Sequence, residues 1–287
     1  MRGCTLLFSD IHADIGALDV LLKVASDPAF VARFGPVERT VNLGDVVERG
    51  YHPCEVIVRL ASLANLISVL GNHDEAFIHD SPVSGSDGKS ITASELCRGQ
   101  GTWKDFFEGM GTSWADKDDR IFAVHGGPVD SATVCPPGAD RLTAWLYSGT
   151  WQRISRDGQR FFDGSGYHYT PEDAFASVRK VLKPGFVIFC GHEHAEAAFV
   201  ENDFRGVDIL QVMKKTSFTI KGKRVDEKSL SLKDDRNYLI RLGIAGPEGY
   251  YEHFGWDRCY FGVYREKDGQ RTVSLLSFQL GRDMMPP

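Results

Sequence analysis

Five short apolar runs in this chain each stop on side chains able to ligate a metal. "TLLF" (5–8) leads into Ser9 and Asp10, with His12 two residues on. "RTVNL" (39–43) ends at Gly44-Asp45, "LISVL" (66–70) at Gly71-Asn72, and "RIFAV" (120–124) at His125. "FVIFC" (186–190) ends at Gly191-His192, with His194 two residues on. Apolar runs of four or five residues, bounded by glycine and polar residues, read as buried strands. Between the first three lie "IGALDVLLKVA" (15–25) and "PCEVIVRLASL" (53–63), whose apolar residues suit helices, the second with Pro53 in its first turn. This β-α-β-α-β rhythm predicts parallel strands covered by helices. Ligands of such sheets gather at the carboxyl ends of the strands, so seven side chains from Asp10 to His194 are expected to share one pocket.

The donor types are Asp, His, Asp, Asn, His, His and His. That mixture of oxygen and nitrogen suits Mn, Fe, Zn or Ni and needs no thiolate. Each fragment has a structural alternative. "SDIHAD" alone can be a helix N-cap at Asp10 or Asp14, and "LGDVVERG" alone can be a strand and a turn. "SVLGNHDEAF" (68–77) is harder to explain by packing, because an apolar strand runs straight into Asn72, His73, Asp74 and Glu75. "GHEH" places two imidazoles two residues apart on an extended segment, where they can straddle a metal pair. The five fragments together, each at a strand end, point to a metal site.

The rest of the chain sets the frame. At 287 residues, with 42% hydrophobic and 25% charged residues, a full core is expected and disorder is not. The net charge of −6 counts against a protein that grips nucleic acid through phosphates. Six cysteines lie far apart without a C-x-x-C, which predicts reduced thiols and a cytoplasmic protein. The short apolar run after Met1 and Arg2 is too brief for a signal peptide, and no stretch approaches a membrane span. Residues 127–170, rich in glycine, proline and aromatics, are expected to form a lid-like excursion over the site within one domain, 1–287. In that excursion Trp145, Tyr147 and Trp151 are expected to pack it down rather than to stack a nucleobase. "PEDAFASVRKVL" (171–182) predicts a helix, and the segments beyond residue 205 predict strands. The basic stretch 214–228 reads as a solvated hairpin.

From Asp10 to His194 the chain resembles the calcineurin-like metallophosphoesterase superfamily, whose signature is D-x-H, G-D-x-x, G-N-H-D/E, H and G-H-x-H. "SDIHADIGALDVLL", "GDVVERGYHPCEVI" and "VLGNHDEAF" are similar to small bacterial and archaeal phosphodiesterase-like members. "GDVVERG" also resembles the G-D-x-x-D-R-G of the protein-phosphatase and diadenosine-tetraphosphatase branch, with Glu48 at the position of its second Asp. The resemblance implies an α/β fold: a two-sheet β-sandwich flanked by helices. It implies two divalent ions, one held by Asp10, His12 and His194, the other by Asn72, His125 and His192, with Asp45 bridging them. It makes His73 the proton donor to the leaving group, oriented by Glu48 or Asp74, and puts Arg49, Asn72 and His73 on the substrate phosphate. The implied activity is hydrolysis of phosphate mono- or diesters through a metal-bridging hydroxide, on small molecules or nucleotides. A dinucleoside-polyphosphate hydrolase, a phosphoprotein phosphatase, a DNA nuclease and a non-catalytic scaffold of the same fold are the alternatives. Arg141 is the candidate for a second phosphate-binding arginine.

Overall fold

The strand Cys4–Phe8 is buried along its whole length, and its side chains alternate between two different cores. Leu6 and Phe8 face helices, packing with Leu18, Leu21, Val56 and Leu60. Leu7 faces a second sheet, packing with Ile121, Phe189 and Ile240. The period-two alternation of a strand therefore sets one layer on each side of it. The computed structural model describes residues 3–281; Met1 and Arg2, part of the leader reading, lie outside them.

One sheet has seven strands, in the order Lys214–Ile220, Lys223–Ser231, Gln270–Gln279, Arg258–Lys267, Cys4–Phe8, Val37–Asn42 and Leu66–Ser68. The other has six, in the order Arg205–Asp208, Ala197–Asn202, Tyr238–Arg241, Val187–Cys190, Ile121–Val124 and Ser113–Asp116. The parallel pairings expected from the β-α-β rhythm hold where Cys4–Phe8 meets Val37–Asn42 and where that strand meets Leu66–Ser68. Val187–Cys190 likewise runs parallel to both Ile121–Val124 and Tyr238–Arg241. The remaining pairings in both sheets are antiparallel. The two sheets stack face to face, with helices Ile15–Ala25 and Pro53–Ala61 on one outer face and helix Pro171–Val178 on the other. This is the mixed α/β sandwich expected from the resemblance.

Three local features differ from the sequence reading. Residues 79–118 hold a helix, Gly88–Gln100, that the apolar spacing did not reveal, because its buried residues are Ser90, Ser94 and Cys97. Capping defines it instead: Asp87 accepts the Ser90 N–H, and Gly101 closes it in the left-handed conformation. The second difference corrects the expectation of reduced thiols throughout. Cys54 and Cys97 form a disulfide with Cα atoms 5.4 Å apart, whereas Cys4, Cys135, Cys190 and Cys259 are free. A separation of 43 residues gave no spacing signal; the packing of two helices makes the pair. In a chain-entropy model such a loop closure stabilises the fold by about 4 kcal/mol. Third, the basic stretch does form a hairpin, with Lys214 and Lys215 exposed, but several of its charges are paired: Lys228 with Glu196, Asp226 with Arg224 and Arg258, and Glu227 with Arg33.

Residues 127–170 form two short helices, Ser131–Val134 and Arg141–Leu146, and a small sheet of Arg153–Ile154, Gly166–Tyr169 and Phe161–Asp163. Tyr147 stacks on Phe162, ring centroids 4.3 Å apart, so its ring is spent on packing. Trp145 and Thr150 both donate to Glu75 Oε2 at 2.7 Å, which ties the segment to the helix Asn72–Ile78. Among the described residues no helix is long and apolar enough to cross a membrane.

Candidate metal centre

The carboxyl ends of Cys4–Phe8, Val37–Asn42 and Leu66–Ser68 in one sheet meet those of Ile121–Val124 and Val187–Cys190 in the other. Backbone hydrogen bonds lock the loops beyond them together. Asp10 N–H donates to Gly44, His12 N–H to the carbonyl of Asp45, and Gly191 N–H to the carbonyl of His125, all at 2.8–3.0 Å. Asp10, His12, Asp45, His192 and His194 all have positive φ, between 46° and 71°. Non-glycine residues held there store backbone strain, about 1–3 kcal/mol each, and such strain gathers at functional sites. Two glycines let the loops approach: a Cβ on Gly71 would lie 2.1 Å from Asp45 Oδ1, and one on Gly191 would lie 1.8 Å from Ser9 Oγ.

All seven predicted ligands come together here and all are buried. Asp10, His12, Asp45 and His194 form one cluster of donor atoms, and Asp45, His125 and His192 form another, so Asp45 belongs to both. Asp45 Oδ2 lies 3.7 Å from His12 Nε2 and 3.2 Å from His125 Nε2. Asn72 Oδ1 lies 3.1 Å from His125 Nε2, adding a neutral oxygen to the second cluster. His194 Nε2 is 3.1 Å from Asp10 Oδ1. The other faces of the rings are anchored: His125 Nδ1 against the Leu43 carbonyl at 2.7 Å, and His194 Nδ1 against the Tyr251 hydroxyl. Such contacts fix a ring so that its Nε2 faces the cluster.

The donor set fits cations. Asp10 Oδ1 and Asp45 Oδ2 lie 3.1 Å and 3.2 Å from cluster imidazole nitrogens but outside hydrogen-bonding geometry, His192 Nε2 is buried without a partner, and all three belong to the clusters. Buried polar atoms are rarely left so, unless something else satisfies them. Without cations the charges balance awkwardly. Burial disfavours the charged form of His125, yet the carboxylates of Asp45 and Asp10 raise it to about 9. Burial pushes His12 and His192 well below the usual histidine range. Burial also opposes ionisation of Asp45, but His125, His73 and His12 hold it well below the usual carboxylate range. Divalent cations would replace protons as partners of this cage.

His73 lies beside the clusters, its ring 4.9 Å from that of His12 and its backbone N–H donating to Asp45 Oδ1 at 2.9 Å. Its Nδ1 is buried without a partner. The expected orienting carboxylate is therefore not in place. Glu48 is turned to Ser86 at 3.1 Å and to Arg98 at 3.8 Å. Asp74 accepts from the backbone N–H groups of Gly71, Asp45, Val46 and Val47 at 2.8–3.3 Å, which organises the ligand loops. Burial, helped by Arg49, His194 and His125 and opposed by Asp45, pushes His73 down to about 3, so its imidazole is neutral near pH 7.

A cleft of about 150 Å³ opens onto these groups, lined by Asp45, Asn72, His73, His192 and His194 together with Arg49, Ser84, Trp151, Arg153, Glu193 and Tyr251. Arg49 is anchored by its Nε on the Ser84 carbonyl at 3.3 Å, and its Nη1 is buried without a partner. Arg141 is exposed at the start of its helix and away from the cleft; Arg153 stands there instead, held through Nε to the Ser165 carbonyl at 2.8 Å. Trp151, expected only to pack the excursion down, lines the cleft with its ring 5.9 Å from that of His192, and Arg153 and Tyr251 are residues the sequence reading did not place. Arg153 sits on a two-residue strand and Tyr251 on an irregular segment, neither long enough to show a periodic pattern, and only the linkage of Tyr251 to His194, 57 positions away, betrays its place.

Comparison with known proteins adds the family. A model of calcineurin-like phosphoesterases matches residues 5–196, a span that holds all seven candidate ligands. A metallophosphoesterase from Sphaerobacter thermophilus has a similar structure, with a TM-score of 0.57 at 20% identity, covering 94% of this chain and 87% of that one. That likeness shows a shared fold. A hypothetical protein from Pyrococcus horikoshii OT3 is similar at a TM-score of 0.44 and 14% identity, covering 82% of this chain and 86% of that one. No curated protein sequence matches the chain.

Proposed function

The chain belongs to the calcineurin-like phosphoesterase family and is a metal-dependent phosphoester hydrolase, and we propose that it is a two-cation phosphatase that prefers small phosphate monoesters. In this reading Asp10, His12 and His194 hold one cation, Asn72, His125 and His192 hold the other, and Asp45 serves both. Mn, Fe, Zn and Ni all suit the donor set. When bound, the cations supply Lewis acidity toward a phosphoryl oxygen and make water acidic enough to act at neutral pH.

The observation that carries the preference is the free Nη1 of Arg49, buried at the cleft beside the clusters. A buried guanidinium nitrogen without an acceptor is costly, and phosphate oxygens match its geometry. Arg153 brings a second cation to the same cleft. Two arginines suit the dianion of a monoester better than the monoanion of a diester. His73, neutral and with Nδ1 unpaired, gives a hydrogen bond to the leaving oxygen. Trp151 and the tight cleft limit water and large leaving groups.

Turnover of p-nitrophenyl phosphate and its bis-ester by the Mn²⁺-loaded protein tests this reading. A kcat/KM at least tenfold higher for the monoester is expected. A preference for the bis-ester would make the enzyme a diesterase, and no turnover with any divalent metal would favour a binding scaffold. Preference for a dinucleoside polyphosphate or a phosphopeptide over both would favour the alternatives that "GDVVERG" suggests.

A further inference from the structure

The Cys54–Cys97 disulfide joins the segment that carries Arg49 to the segment whose Ser84 and Ser86 hold it. Cys54 is the second residue of helix Pro53–Ala61, five positions after Arg49, and Cys97 lies near the end of helix Gly88–Gln100. Contacts from the Cys97 side hold Arg49 and its neighbours in place. The Ser84 carbonyl accepts from Arg49 Nε, and Ser86 Oγ accepts the Arg49 backbone N–H, both at 3.3 Å. Ser86 Oγ also donates to Glu48 at 3.1 Å, and Asp87 accepts the Tyr51 hydroxyl at 3.1 Å. Arg98, the residue after Cys97, faces Glu48 and Asp80. The helix that carries Cys97 buries only Ser90, Ser94 and Cys97. Its attachment to the fold thus relies on polar contacts and on the disulfide. The bond is reached from the Cys54 side: Cys97 is buried, but Cys54 is half-buried and opens onto a groove of about 700 Å³ lined with Ile15, Tyr51, Val58 and Leu96.

We propose that Cys54–Cys97 is a redox-modification site, at which a dithiol reductant loosens residues 79–101 and so weakens the hold of Arg49 on phosphate. The proposal rests on the reading of Arg49 given above. A reductant thiolate attacks Cys54 Sγ, the sulfur–sulfur bond breaks, and Cys97 leaves as a thiolate that takes up a proton. The second thiol of the reductant then attacks the mixed disulfide, freeing Cys54 as a thiol and closing the reductant into its own disulfide. Two electrons and two protons pass from the dithiol to the cysteine pair.

The test compares the oxidised full-length protein with protein treated with dithiothreitol and desalted into Mn²⁺, with metal content counted in both. Alkylation and peptide mapping should show that only Cys54 and Cys97 change state. The expected result is a rise of about tenfold in KM for a monoester and in Ki for inorganic phosphate, with both metals retained and faster hydrogen exchange across 79–87. Cys54→Ser/Cys97→Ser should match the reduced protein and ignore dithiothreitol; should it not fold, the reduced wild type carries the test. In Arg49→Ala the KM difference between the two redox states should vanish. Unchanged KM and unchanged exchange in demonstrably reduced protein would overturn the proposal. Loss of metal together with activity on reduction would also overturn it, because the effect would then not act through Arg49. If the oxidised protein has no turnover, the phosphoesterase reading fails, and hydrogen exchange alone decides whether the disulfide holds the segment.

Discussion

The Nε2 atoms of His12 and His194 face each other at 3.1 Å, although the two residues stand 182 positions apart. His12 Nδ1 lies 3.4 Å from the Val47 carbonyl, a contact only an N–H can satisfy, so its Nε2 presents a lone pair. Asp10 Oδ1 lies 3.1 Å from His194 Nε2 and 4.0 Å from His12 Nε2. A lone pair, a second imidazole nitrogen and a carboxylate oxygen crowded in a buried space suit a cation between them.

Asp45 is the residue shared by the two clusters, so Asp45→Asn should weaken both sites together. Elemental analysis after dialysis should find both metals depleted. Full retention of one ion would contradict the sharing.

His73→Ala should lower kcat by about 10²–10³-fold, the range for loss of a hydrogen-bond donor to charge that develops in the transition state, while two metals remain bound. Its ring touches the His12 ring but belongs to neither cluster. Loss of metal along with activity would make it a ligand.

Arg49→Ala and Arg153→Ala should each raise KM for a monoester about tenfold or more, through loss of a charged hydrogen bond of roughly 1.5–3 kcal/mol. Arg141→Ala, exposed and outside the cleft, should leave KM unchanged. Equal effects from all three would remove the arginines from phosphate binding.

Asp74→Ala should destabilise the fold by about 3 kcal/mol or more, because four backbone N–H groups lose their acceptor. Denaturant unfolding of the metal-free protein reads this without any contribution from metal. Unchanged stability with lost activity would return Asp74 to a direct catalytic role.

Much of the fold was legible because it is written in periodicity. Ile15–Ala25 and the ends of Cys4–Phe8 follow directly from apolar spacing. The seven clustered side chains were legible for a related reason: each follows an apolar run, and parallel strands carry their ends to one rim. Gly88–Gln100 was not legible, since a helix that buries serines and a cysteine shows no apolar stripe. The Cys54–Cys97 bond, the approach of Arg153 and the contact of Tyr251 with His194 depend on how distant loops pack, which no local pattern encodes. Glu48 and Asp74 stood at plausible positions in sequence, but nearby Ser86, Arg98 and backbone N–H groups claim their carboxylates.

Anomalous diffraction from crystals of the Mn²⁺-loaded protein tests the central claim most directly. Two peaks about 3.5–4 Å apart are expected, one among Asp10, His12 and His194 and the other among Asn72, His125 and His192, with Asp45 between them. A single peak, or none within reach of Asp45, would contradict the account.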